Sequence, residues 1–189
     1  MLDLTTEISL EAFSRDIHAA THIEAPAYLL SGGKRIDQFG LESFIVQAVL
    51  LDLTHKKSGQ PIDDEDLEAA EERGGLALRE GEVVVLHTGW GNSVDDMSSS
   101  GYHPYLSENG AEFLEFKRPS MVAIDAPSLD PHGSNRFPAH SILMQAGILV
   151  LESLCNLDKI EQARFQLVAL PLKTKASTSH VRAAAVLDG

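Results

Sequence analysis

Short apolar, β-branched runs bounded by turn residues or charge constrain this chain more than any other feature. They occupy residues 44–53, 83–86, 121–124, 148–151, 165–170 and 181–187. Each is too short for a buried helix and reads as a strand. Helical patterns fall between them, near residues 63–80, 107–116 and 138–146. About eight strands with three or four helices predict an α/β or mixed α+β fold, a mixed β-sheet flanked by helices. Strand order does not follow from these runs. The 189 residues, 43% of them hydrophobic, suit a single domain that buries roughly 70% of its unfolded-state surface. Such a core needs neither disulfides nor a structural metal.

The acidic stretch 63–80 reads as an amphipathic helix. Asp63 caps it and Asp66 completes a capping box, with Leu67, Ala70 and Leu76 facing inward and Gly74-Gly75 interrupting. Its acid run is a solvated face. Over the whole chain 15 basic residues stand against 28 acidic ones, a net charge of −13. With no cationic surplus to displace counterions from phosphates, nucleic acid is excluded as a partner. Anionic membrane surfaces are disfavoured as well, and no apolar run approaches the ~20 residues needed to span a bilayer. The lone Cys155 forms no internal disulfide and fits a reducing, cytoplasmic compartment.

Eight histidines are many for an acidic chain of this size. Two lie in the segment DIHAATHIEAPAY, residues 16–28. If residues 17–24 are extended, side chains alternate faces, and His18, Ala20, His22 and Glu24 line one side. Two imidazoles and a carboxylate then converge over a small alanine, a nitrogen and oxygen set suited to Zn²⁺, Mn²⁺ or Fe²⁺. A helix would keep the two histidines together and throw Glu24 off their face, and Pro26 argues against helix. The spacing also suits a pair of histidines satisfied by ordinary hydrogen bonds. A second constellation lies at FPAHSILMQAGILVLESL. His140 sits near the start of a short helix that Gly147 stops. In the strand that follows, Ile148, Val150 and Glu152 share one face, opposite Leu149 and Leu151. A carboxylate ending so apolar a strand either meets solvent or requires a partner, such as a cation or a strong donor.

The run His18-Ala-Ala20-Thr21-His22-Ile-Glu24-Ala-Pro26-Ala-Tyr28 resembles the signature of the cyclase family of metal-dependent hydrolases, which includes bacterial kynurenine formamidase and isatin hydrolase. That signature reads His-x-Gly-Thr-His-x-Asp-x-Pro-x-His. The likeness continues through SGGKRID at 31–37, VVVLHTGW at 83–90, His103-Pro104, Ile124-Asp125, LESLCNLD at 151–158 and ALPLK at 169–173. It implies a swivelling β/β/α-type fold and a homo-oligomer, at least a dimer. The substrate implied is a small molecule, an aryl formamide, cyclic amide or lactone, cleaved by metal-activated water. It also implies a divalent metal, zinc or manganese, held by His18, His22 and Glu24 together with His140 and Glu152, Glu24 being the shared carboxylate. Three positions depart from the pattern. Ala20 replaces the family glycine and Glu24 the aspartate. Tyr28 replaces the last histidine, which the family uses as general acid/base. Tyr28 and Glu152 are accordingly the expected catalytic residues. A tyrosine near its ordinary pKa of about 10 is a weak base at neutral pH, though its hydroxyl can donate to a developing oxyanion.

The remaining candidates are weaker. Lys34 after Gly32-Gly33 lacks P-loop spacing. Trp90 either lines a substrate pocket or packs in the core. His103 reads as a loop residue, and so do His55 and His132. Asp125, Ser128 and Asp130 follow a strand, but Ser128 has no nucleophile-elbow context and the resemblance makes Asp125 structural. Cys155, in an apolar setting, reads as inert core. His180 and Arg182 open the last strand.

Overall fold

A computed structural model describes residues 17–18, 20–92 and 102–187. In it the apolar runs become β2 (Ile45–Asp52), β4 (Val83–His87), β6 (Met121–Ile124), β7 (Leu149–Glu152) and β8 (Arg164–Ala169). The last run yields a single strand, and two further strands of the sheet lie outside the runs. His22–Glu24 forms β1, Thr178–His180 forms β9 and Ala183–Val186 forms β10. His180 therefore belongs to β9, which pairs with β1, rather than opening the final strand. Two strands of two residues each, β3 (Pro61–Ile62) and β5 (Tyr105–Leu106), make a separate small parallel pair; at that length they leave no periodic signal to read.

The main sheet runs β10-β8-β2-β4-β6-β7-β1-β9. Its centre, β2-β4-β6-β7, is parallel, and its wings pair antiparallel. Parallel neighbours require crossovers, and helices supply them: α1 (Asp64–Gly74) between β2 and β4, α2 (Glu108–Lys117) between β4 and β6, and α3 (Pro138–Gln145) between β6 and β7. Leu67 and Ala70 of α1, Ala111 and Leu114 of α2, and Leu143 of α3 pack with Val49, Leu51, Val84, Leu86, Val122, Ile124 and Val150. The alternate residues Ala48, Val83, Val85, Met121, Ala123, Leu149 and Leu151 enter a second cluster with Ile23, Phe165 and Leu167. All three helices thus cover one face of the sheet. This mixed fold is the expected one. No helix among the described residues is long and apolar enough to cross a membrane.

The capping box at Asp63 and Asp66 forms as expected, with the Asp63 N–H donating to Asp66 Oδ2 at 2.9 Å. The helix is shorter than its acidic pattern. Gly75 turns left-handed at φ 58°, and Leu76 N–H bonds back to the Glu71 carbonyl at 2.8 Å. This glycine cap satisfies the last carbonyls and ends α1 at Gly74. Leu76 still packs on the core, from outside the helix.

Asp125, just past β6, is structural. Its carboxylate accepts from the Thr88 N–H (3.0 Å), the Thr88 hydroxyl (2.5 Å) and the Gly89 N–H (2.8 Å), pinning the turn that follows β4. Asp125→Ala strands those buried donors and is expected to cost about 3 kcal/mol of stability by urea unfolding. A loss below about 1 kcal/mol, the range of ordinary surface changes, would show that the turn holds itself.

Candidate metal centre

The strand alternation that buries Ile23 and Ala25 in the helix-free cluster turns His22 and Glu24 toward the helices. Glu152 shares the face of Val150, as its parity requires. Residues 22 and 152 are Cα partners in the β1–β7 ladder, so their side chains emerge side by side. His140 arrives from the first turn of α3. His18 arrives differently from the extended reading of residues 17–24. Residues 17–18 form a turn and residues 20–21 a bend before β1 begins at His22. The chain doubles over, and His18 reaches Glu24 from a turn rather than along a strand face.

These five side chains meet. His18 Nδ1 lies 3.0 Å from His22 Nε2 and 3.1 Å from Glu24 Oε1. His22 Nε2 lies 3.5 Å from Glu24 Oε1 and 3.3 Å from Glu152 Oε2. On the other side, His140 Nε2 lies 3.2 Å from Glu24 Oε2 and 3.0 Å from Glu152 Oε1. Glu24 therefore faces His18 and His22 with one oxygen and His140 with the other, the shared position expected of it. One atom each of His18, His22, Glu24 and Glu152 fall within 4.8 Å of one another, a group that could hold a metal ion. His22, Glu24, His140 and Glu152 are all buried, and only His18 is substantially exposed.

The donor set fits a cation. The His18 and His22 ring nitrogens lie 3.0 Å apart, and both face Glu24, so their nitrogen and oxygen atoms converge on one point. Glu24 Oε2 is buried with no hydrogen-bond donor in proper geometry, although His140 Nε2 is near. Without a cation, protons meet the same demand. Burial by itself lowers an imidazole pKa, yet at His22 the carboxylates of Glu152 and Glu24 outweigh it and raise the group to about 9. His140 is likewise driven well above its ordinary value against burial, by Asp130, Glu152 and Glu24. Burial favours a neutral Glu24, but the His140, His18 and His22 imidazoles hold its carboxyl well below the usual carboxylate range.

Tyr28 stands beside the cluster. It sits in a 3-10 turn, Pro26–Tyr28, opened by the proline. A Cβ on Gly33 would come within 2.7 Å of the Ala27 nitrogen, so the glycine lets residues 30–34 fold tightly over that turn. The Tyr28 ring centroid is 5.5 Å from that of His18 and 6.4 Å from those of His140 and Phe137. Partial burial, seconded by the Glu24 charge, raises its hydroxyl pKa further above 10. It is therefore a neutral donor at physiological pH, positioned where the family pattern has an imidazole.

Two participants escape the sequence pattern. The Leu129 N–H donates to Glu152 Oε1 at 2.7 Å. The Asp130 carboxylate binds His140 Nδ1 at 2.5 Å and accepts the Ala139 N–H at 2.8 Å. Proximity of Asp130 to a strand end was the one hint. Trp90 packs partly buried against the core, edge-on to His103 at 6.1 Å. His103 is buried, with Nδ1 2.9 Å from the Pro104 carbonyl, and lies outside the ligand group. His55 lies 3.7 Å from Asp66, and His132 packs on Tyr102. Cys155 is exposed rather than core, while Leu154 and Leu157 on either side of it are buried; residues 153 and 156 both adopt positive φ. Cys155 edges a cavity of about 290 Å³ on the helix-free side of the sheet, to which none of the five converging side chains contributes.

Comparison with known proteins shows what the chain as a whole is similar to. The family model described as "Putative cyclase" matches residues 2–131. A kynurenine formamidase of Salinibacter ruber is 31% identical over 169 residues, spanning 89% of this chain and 74% of its own length. One from Geobacillus thermodenitrificans is 31% identical over 179 residues, spanning 94% and 79%. A "predicted metal-dependent hydrolase" from Bacillus stearothermophilus superposes with a TM-score of 0.71 at 28% identity, over 90% of this chain and 77% of that one. Isatin hydrolase A from Labrenzia aggregata, at 24% identity, shares the fold with a TM-score of 0.79, over 89% and 73%.

Proposed function

We infer that this chain, which belongs to the cyclase family, is a metal-dependent hydrolase of a small-molecule amide or cyclic ester, with an aryl formamide, cyclic amide or lactone as substrate. The observation that carries the reading is the convergence of His18, His22, Glu24, His140 and Glu152, four of them buried, around a carboxylate oxygen that no protein donor satisfies. Those five residues would hold a divalent cation, zinc or manganese. A divalent cation bound there lowers the pKa of water toward 7 and polarises the scissile carbonyl.

The chain's own groups divide the rest of the work. Glu152 keeps Oε1 in the Leu129 N–H bond, which leaves Oε2 to face the cation and to accept a hydrogen bond that orients the attacking water. Tyr28, a neutral donor, offers its hydroxyl to the oxyanion that develops on the substrate. Its high pKa disqualifies it as the base. The buried walls around Glu24 exclude bulk water and strengthen both interactions. The competing reading is a diverged member that binds a metal or a small acid with little turnover. It rests on Tyr28 alone.

The test is metal analysis of the purified protein followed by assay on an aryl formamide, on isatin and on an aryl lactone. Near-stoichiometric zinc or manganese is expected, with hydrolysis that disappears on chelation and returns with either ion. If no metal copurified and none could be restored, the metal reading would fail. Full metal occupancy without turnover on formamide, cyclic amide or lactone would favour the binding protein.

A further inference from the structure

We propose that Asp130 is a positioning residue that locks His140 in the tautomer and orientation through which it can serve the metal centre. The proposal builds on the hydrolase reading but concerns a residue outside the five. Asp130 is buried, at 1% exposure. Its Oδ2 lies 2.5 Å from His140 Nδ1, and its Oδ1 accepts the Ala139 N–H at 2.8 Å. Phe137, the residue in the cap position of α3, makes no side-chain cap bond and sits in the left-handed region at φ 47°. Non-glycine residues pay for that conformation, and such strain persists where surrounding structure imposes it. Here Asp130 caps the helix from another loop, and one carboxylate fixes both the start of α3 and the imidazole one residue on.

The consequence is chemical. A carboxylate at Nδ1 keeps the proton on that nitrogen and leaves the Nε2 lone pair for the centre, where Glu24 and Glu152 lie 3.2 and 3.0 Å away. The same loop holds the other half of the pair, since Leu129 N–H binds Glu152 Oε1. Residues 129–130 therefore register α3 against β7, so that His140 and Glu152 face one point. Outer partners of this kind typically contribute about 10- to 100-fold to metal affinity.

The experiment compares zinc affinity, by chelator competition, in the full chain and in Asp130→Asn. Asparagine retains an oxygen for the Ala139 N–H and removes the charge. Ser107→Ala serves as control, because Ser107 caps α2 by accepting the Gly110 N–H and touches no residue of the centre. Affinity is expected to fall at least about tenfold in Asp130→Asn and to stay within twofold of the parent in Ser107→Ala. Nitrogen-15 spectra of the zinc-loaded parent should show the His140 proton on Nδ1. Equal affinity in parent and Asp130→Asn, or a His140 that binds zinc through Nδ1, would overturn the proposal while leaving the hydrolase reading intact. A parent that binds no divalent metal would overturn both.

Discussion

Replacing Glu24 by glutamine is expected to abolish hydrolysis and metal binding together. Glu24 faces all three imidazoles, with Oε1 3.1 Å from His18 and 3.5 Å from His22 and Oε2 3.2 Å from His140, whereas Glu152 faces only His22 and His140. Glutamine keeps the shape, but it removes the negative charge and puts an amide N–H₂ where one of those oxygens stood. Glu152 would then be the one carboxylate left between His22 and His140, and His18 would have no anion. Loss of an outer partner costs up to about 100-fold in affinity, and loss of the shared inner carboxylate should exceed that. The measurement pairs metal content with kcat/KM, and a circular dichroism melt of the metal-free variant checks that the fold survives. A Glu24→Gln protein with full metal and undiminished turnover would refute the assignment.

Tyr28→His is the second large effect, and it runs the other way. The ring at position 28 already contacts His18 and His140, at 5.5 and 6.4 Å between centroids, so an imidazole there enters the site without any backbone change. Tyrosine, pushed above its ordinary pKa by burial and the Glu24 charge, does not accept protons at neutral pH. An imidazole with an ordinary pKa near 6.5 does. General acid–base groups supply about 10²- to 10⁴-fold, so formamide hydrolysis by Tyr28→His should rise at least about tenfold. The gain should lie in kcat, with a pH profile that acquires a new limb near neutrality. Unchanged or reduced turnover would refute the predicted gain and show that losing the phenol's donation to the oxyanion costs as much as an imidazole base supplies.

Most of the strands and all three helices were legible because each depends on local pattern: β-branched runs, a capping box at Asp63, a glycine stop at 147. The elements that escaped carry too few residues for any period, as with β3 and β5, or are separated by a tertiary bond. His180 read as opening the last strand, but the Val181 N–H is claimed by the Thr21 carbonyl at 3.0 Å, which separates β9 from β10. His18 shows the same limit at the site. Its partners were legible, but its route to them through a turn was not, since alternation along an extended segment and a fold-back both unite residues 18, 22 and 24. Cys155 was misplaced for a related reason: in a loop without strand alternation, buried neighbours such as Leu154 and Leu157 do not carry the residue between them inside.

The sequence by itself determined which groups were available for chemistry. Three histidines and two glutamates were distinguished by spacing, by parity along β1 and β7, and by the family signature. So was the tyrosine at position 28. Tertiary structure alone decided that the two constellations, more than a hundred residues apart in the chain, meet over Glu24. That meeting depends on β1 pairing antiparallel with β7 in the register that sets His22 against Glu152. Pairing of distant strands is chosen by burial of whole faces, so neither segment encodes it alone. The same holds for Asp130. A carboxylate in a loop has no pattern until α3 packs beside it, and its contact with His140 exists only in the folded chain.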